Sequence, residues 1–174
     1  MNNSKYHAHI ILSVIGPDKP GIVSGISAIV KNHFGNIEHS RMIRLGEYFT
    51  IMVLVSINNN NIQNLKNELN SNPSLQISIN ELTNKKTNIS DALYKIFLKG
   101  IDNEGIVYKI TKELADLDIN IEELETKTEN APMSGLNLFS LTAIITHPNL
   151  DYDALKKKMD LLALELDVNI VIET

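Results

Sequence analysis

Residues 16–38 of this chain recur, without a gap, at residues 100–122. Gly16 falls on Gly100, an offset of 84 (100 − 16), and the same offset pairs Asp18 with Asp102, Gly21 with Gly105, Ile22 with Ile106 and Val23 with Val107. It also pairs Ile26 with Ile110, and the tripeptide Asn36-Ile37-Glu38 with Asn120-Ile121-Glu122. Further on the register slips by 6, since Phe49 matches Phe139 (139 − 49 = 90, against 84). The second copy therefore carries an insertion near Glu129–Gly135. A repeat of this length, in a chain of 174 residues, calls for two small domains of one design rather than one large domain. We place their boundary at 1–84 and 85–174, with a polar linker over about Thr83–Ser90.

Each copy spells the same order of elements. In the first, Ala8, Ile10, Leu12 and Val14 alternate with polar residues, which predicts a strand over 8–15; its counterpart is 92–99. Ile22, Val23, Ile26, Ile29 and Val30 then fall on one helical stripe, as do Ile106, Val107, Ile110, Leu114 and Leu117. Gly35 is expected to end the first helix in the left-handed region. A second strand over Asn36–Leu45 (Asn120–Thr128 in the second copy) alternates imperfectly and suggests a bulge or a two-sided environment. Gly46-Glu47 suggests a tight hairpin into Tyr48–Ile57, a strand apolar on both faces that belongs at the centre of a sheet or against a partner. Helices over 62–69 and 152–166 and final strands over 75–82 and 169–172 complete the copies. The order β-α-β-β-α-β, twice, implies an α+β chain of two ferredoxin-like units, each with both helices on one face of an antiparallel sheet. The apolar third strand favours cover from another sheet, from the other half or from a second copy in a homo-oligomer.

Composition narrows the function. A formal charge of −5, with Lys156-Lys157-Lys158 the one short basic run, opposes a direct nucleic-acid surface. Without cysteine there are no disulfides, thiolate nucleophiles or thiolate-bound zinc. The start, Met1-Asn2-Asn3-Ser4-Lys5, has no apolar core of a signal peptide, and the run Ile51–Val55 is too short to span a bilayer, so we expect a cytoplasmic location and no membrane. His7 and His9 share a strand face, but no third ligand accompanies them, and we expect no metal and no cofactor. Glu122, Glu123, Glu125 and Glu129 read as a solvated strand edge, and Ser134 lacks the surroundings of a nucleophile elbow. No phosphate loop, dinucleotide fingerprint or nucleophile–base set is present, so catalysis is not expected.

The junction Val14-Ile15-Gly16-Pro17-Asp18-Lys19-Pro20-Gly21-Ile22-Val23, followed by Gly35-Asn36-Ile37, resembles the loop of amino-acid-binding ACT domains. The second copy departs from that pattern, with Glu104 where the proline should stand. The insertion Ala131-Pro132-Met133-Ser134-Gly135, running into Leu138-Phe139, is similar to the second half of the two-ACT glycine cleavage system transcriptional repressors. That resemblance implies a stand-alone regulator that responds to a small amino acid, glycine being the implied choice, and that acts on a transcription activator rather than on DNA. It also implies ligand residues Asp18, Gly21, Ile22 and Asn36, with Asp102, Gly105, Ile106 and Asn120 as a second set.

The physics is compatible with this. A helix start exposes unpaired N–H groups to a carboxylate, glycine removes the obstructing Cβ, and Asp18 or the Asn36 amide offers an acceptor for an ammonium. Three structural alternatives stay open: Asp18 as a helix cap, Gly21 as a packing residue and Asn36 as a turn former. Pro132, Met133, Ser134 and Gly135 form either a partner contact or a plain connecting loop. A different function class is a detached regulatory subunit of a metabolic enzyme such as a formyltetrahydrofolate hydrolase, because ACT pairs also occur joined to enzymes.

Overall fold

The computed structural model describes residues 8–82, 93–130 and 135–173. The chain divides into two compact units, Met1–Thr87 and Asn88–Thr174. The boundary and linker expected from the sequence lie outside the described residues.

The first unit runs β1 (Ala8–Pro17), α1 (Ile22–Asn32), β2 (Asn36–Leu45), β3 (Tyr48–Ile57), α2 (Asn59–Leu69) and β4 (Gln76–Glu81). The second runs β5 (Leu93–Ile101), α3 (Ile106–Asp116), β6 (Asn120–Asn130), β7 (Asn137–Thr146), α4 (Tyr152–Leu166) and β8 (Val168–Glu173). The sheets have the orders β2-β3-β1-β4 and β6-β7-β5-β8, antiparallel throughout. This is the ferredoxin-like α+β arrangement that the repeat implies.

Alternation along β1 and β3 sends one set of side chains to the helices. Ile10, Leu12, Val14, Ile51, Val53 and Val55 meet Ile26 and Val30 of α1 and Leu65 and Leu69 of α2 in one apolar core. The second core is built the same way from Ile96, Leu98, Leu141, Ala143 and Ile145 against Ile110, Leu114, Leu155, Met159 and Leu162. The helical stripes are narrower than the sequence suggests: Val23 and Val107 point outward and are exposed. β3 is an interior strand of its sheet, as its two-sided apolar pattern requires. Its second face stays open within the unit. Tyr48 is 57% exposed and Met52 54%, beside exposed Ile15 and Ile43.

Both bulges expected from broken alternation are present. The ladder between β2 and β3 shifts between Ile37 and His39, and that between β6 and β7 between Ile121 and Glu123. The odd residue is a glutamate each time, Glu38 or Glu122, which accounts for the repeated Asn-Ile-Glu. The first hairpin closes tightly, with Leu45 opposite Tyr48 and Gly46 at φ 60°. In the second, the ladder continues one rung further, to Asn130 opposite Asn137.

One expectation is corrected. The left-handed residue that ends α1 is Phe34, at φ 58°, and its counterpart Asp118 has φ 56°. Each helix closes with a bond from the next residue back to the carbonyl five positions earlier, Gly35 to Val30 and Ile119 to Leu114, the Schellman pattern. Gly35 is small because a Cβ there would lie 2.9 Å from Val30 Cγ1 and 3.0 Å from Val55 Cγ1. The reason is space rather than backbone conformation.

Candidate ligand-binding site

The β1–α1 junction is shaped by three neighbouring residues. Gly16 brings β1 close under Leu75, since a Cβ there would lie 2.5 Å from Leu75 Cδ2. Asp18 N–H donates to the Glu47 carbonyl at 2.8 Å, tying the junction to the β2–β3 hairpin. Gly21 then takes φ 91°, a left-handed value that other residues resist, and starts α1 without any side-chain cap. The Asp18 carboxylate therefore does not cap the helix; it faces Arg44, whose Nη1 lies 3.4 Å away. Ser24 Oγ donates to the Gly21 carbonyl and leaves the first helical N–H groups unoccupied by a side chain.

Gly21 and Ile22 open onto a groove of about 470 Å³ between α1, α2 and the loop before β4. Its wall is largely apolar, from Ile22, Ile26, Ile29, Leu69 and Leu75, with Lys19, Glu68 and Asn72 at polar positions. The His33 ring lies 2.6 Å from the Glu68 carboxylate, which links the end of α1 to α2.

Asn36 is not part of this place. It sits opposite Ser56, which is opposite His9, whereas Asp18 follows the other end of β1. Nine residues of strand separate the two levels, roughly 30 Å at ~3.3 Å per residue. Within one unit Gly21 and Ile22 line the groove, the Asp18 carboxylate turns to Arg44 beside it, and Asn36 lies at the far end of the sheet.

The second unit repeats the layout. Gly105 starts α3 at φ 85° without a side-chain cap, followed by Ile106, which is buried. Asp102 N–H donates to the Asn137 carbonyl, and its carboxylate lies 3.5 Å from Thr128 Oγ1. Asn120 is again distant, opposite Thr146. Its Nδ2 donates to the Glu122 carboxylate at 2.6 Å, and Thr146 Oγ1 donates to the same oxygen at 3.0 Å. Glu122 is thus a structural acceptor at the bulge rather than an idle surface charge. Its counterpart Glu38 lies 3.2 Å from His9 Nε2. Glu129 pairs with Lys127, whose hydrogen bond holds the glutamate below the usual carboxylate range.

Pro132, Met133 and Ser134 lie outside the described residues. Gly135 is described, with φ 67°. Likewise His7 of the histidine pair lies outside them, while His9 is engaged by Glu38. Sequence reasoning missed Lys19, Gly25 and Glu68. Gly25 carried a signal: it is a glycine in mid-helix, and the repeat replaces it with Lys109.

Residues 8–79 match the ACT domain. The glycine cleavage system transcriptional repressor of Escherichia coli K12 is 28% identical over 134 residues, which cover 75% of this chain and 70% of that protein. Among solved structures, an unknown protein from Galdieria sulphuraria superposes with a TM-score of 0.86 at 34% identity, over 95% of this chain and 97% of that one. The crystal structure of a candidate glycine cleavage system transcriptional repressor shares the fold across both units, with a TM-score of 0.70 at 20% identity over 95% of this chain and 96% of that one. The ACT match covers the first unit, the second unit repeats its topology, and the chain as a whole is similar to the glycine cleavage system transcriptional repressors.

Proposed function

We propose that this protein is a non-catalytic, cytoplasmic regulator of transcription that responds to a small amino acid and acts through a protein partner. The observation that carries this reading is the extent of the likeness: the E. coli repressor matches over 134 residues, more than either unit alone holds. The net charge of −5 favours contact with a protein over contact with DNA. At the β1–α1 junction, Gly21 and Ile22 present a helix start to a ligand carboxylate, and Asp18 lies beside it. The equivalent residues Asp102, Gly105 and Ile106 form a poorer site, because Glu104 adds negative charge where a carboxylate would enter. Asn36 and Asn120, at the opposite sheet ends, do not complete either site within a unit.

A ligand regulates a partner only if it binds one arrangement of the protein better than another. The reading is tested by deleting the gene in its host and measuring glycine cleavage transcripts with and without added glycine. A rise of several-fold in the deletion strain, restored by the intact gene, is the expected outcome. Unchanged transcripts under both conditions would rule the regulator out.

A further inference from the structure

On the side of the β1–α1 junction and α1, the groove beside Gly21 differs from its counterpart in the repeat at four positions, which together remove a lysine and bring in three charged side chains. Lys19 becomes Asn103, Pro20 becomes Glu104, Gly25 becomes Lys109 and Ile29 becomes Glu113. In the second unit the new side chains bridge the two helices. Lys109 Nζ lies 2.6 Å from Glu165 of α4, and Glu113 lies 2.6 Å from Lys158 of α4. In the first unit the same level holds Gly25, where a Cβ would meet nothing within 4 Å. Packing therefore gives no reason for a glycine there, although glycine in a helix interior is unfavourable relative to alanine. Lys19 forms no ion pair with another described residue and stands at the mouth of the groove. An open Gly25, an apolar Ile29 and a lysine unpaired among the described residues coincide in the first unit, and each is replaced in the second, while Ile106, Ile110 and Met159 keep the rest of the wall apolar.

We propose that the α1–α2 groove of the first unit is a binding site for an amphipathic monocarboxylate with a body of leucine to phenylalanine size. The carboxylate meets the Lys19 ammonium and the uncapped start of α1. The aliphatic or aromatic body lies over Gly25 against Ile22, Ile26, Ile29, Leu69 and Leu75. Glycine has no body to displace water from that wall, so it binds this groove weakly. Glu68, already engaged by His33, lines the site without requiring an ammonium on the ligand, so a branched 2-oxo acid is accepted as well as the matching amino acid. The site keeps the junction named in the proposed function but takes a ligand larger than glycine, and it rests on that reading only for its regulatory consequence.

The test is calorimetric titration of the full chain with leucine, phenylalanine, 4-methyl-2-oxopentanoate and glycine, using the natural protein, Gly25→Lys and Lys19→Met. Expected is binding of the larger compounds at least tenfold tighter than glycine, lost in Gly25→Lys and weakened about tenfold in Lys19→Met. Thermal unfolding checks that Gly25→Lys is folded, and a helix-favouring substitution at an open position should not lower its midpoint. If glycine binds as tightly as leucine and keeps its affinity in Gly25→Lys, the groove proposal falls while amino-acid sensing stands. If none of the four compounds binds, the groove proposal falls, and the transcript measurement decides the regulator separately.

Discussion

Asn58 shows how much a single side chain settles. Its Oδ1 accepts from the Asn60 N–H at 3.0 Å and starts α2. Within the run Asn58–Asn61 it looks like one polar residue among several, yet its neighbours have other tasks: Asn61 Nδ2 donates to the His33 carbonyl at 3.1 Å and ties α2 to the end of α1. Asn58→Ala should cost about 1 kcal/mol of stability, the usual loss of a helix cap. Urea unfolding would show it as a lower midpoint with an unchanged slope. Glycines divide by cause at the same scale. Gly21 and Gly105 hold left-handed backbone, Gly35 yields space to two valines, and Gly25 does neither. The sequence marks all of them alike, because glycine is favoured for conformation and for space, and only coordinates separate the two.

At the scale of elements, strands and helices were legible because burial on one face imposes period on the residues. β3 reads as central from apolar residues on both faces, and α4 reads to its ends from Leu155, Met159, Leu162 and Leu166. Ends set by hydrogen bonds rather than by burial were less legible: β1 runs on to Pro17, β5 to Ile101 and β6 to Asn130. The candidate site was legible only in part. Loop residues close in sequence, Asp18 to Ile22, are together in space, but whether Asn36 joins them depends on the direction of β2, which periodicity does not encode.

Charges on α3 offer a direct check. Lys112 Nζ lies 2.5 Å from Asp116 one turn on, and this hydrogen bond, with the lysine's charge, holds the Asp116 carboxyl below its usual value. A depressed carboxylate pKa adds stability that is present above the unfolded value and lost as pH falls through the folded one. Both side chains are exposed, so salt should erase the effect. NMR titration is expected to show the Asp116 midpoint moving up toward the ordinary value in about 1 M salt, where screening acts over ~3 Å. A midpoint that ignores salt would mean another cause.

For the whole molecule, duplication followed by divergence is the governing fact. One design occurs twice, and the copies keep the core, the Schellman closures and the bulge glutamates. They differ where function would act. The first unit has an open apolar sheet face around Tyr48 and Met52, together with the groove at Gly25. The second has the longer β6–β7 connection and a pair of ion pairs closing its helices. That face, open within its own unit, supports the expectation of cover from the other half or from a second copy in a homo-oligomer, since apolar surface gains from cover. Light scattering should give a mass above that of one chain, and Met52→Glu should lower it to the single-chain value with the helical content kept. A natural protein already monomeric at micromolar concentration would contradict the homo-oligomer.

The two halves are unequal, and the proposed sensor is the first. Amide NMR of the full chain titrated with leucine tests this most directly. Shifts concentrated at Gly21, Ile22, Gly25 and Leu75, with Gly105, Ile106 and Lys109 unmoved at saturation, are predicted. Equal shifts in both sets, or shifts confined to the second, would contradict it.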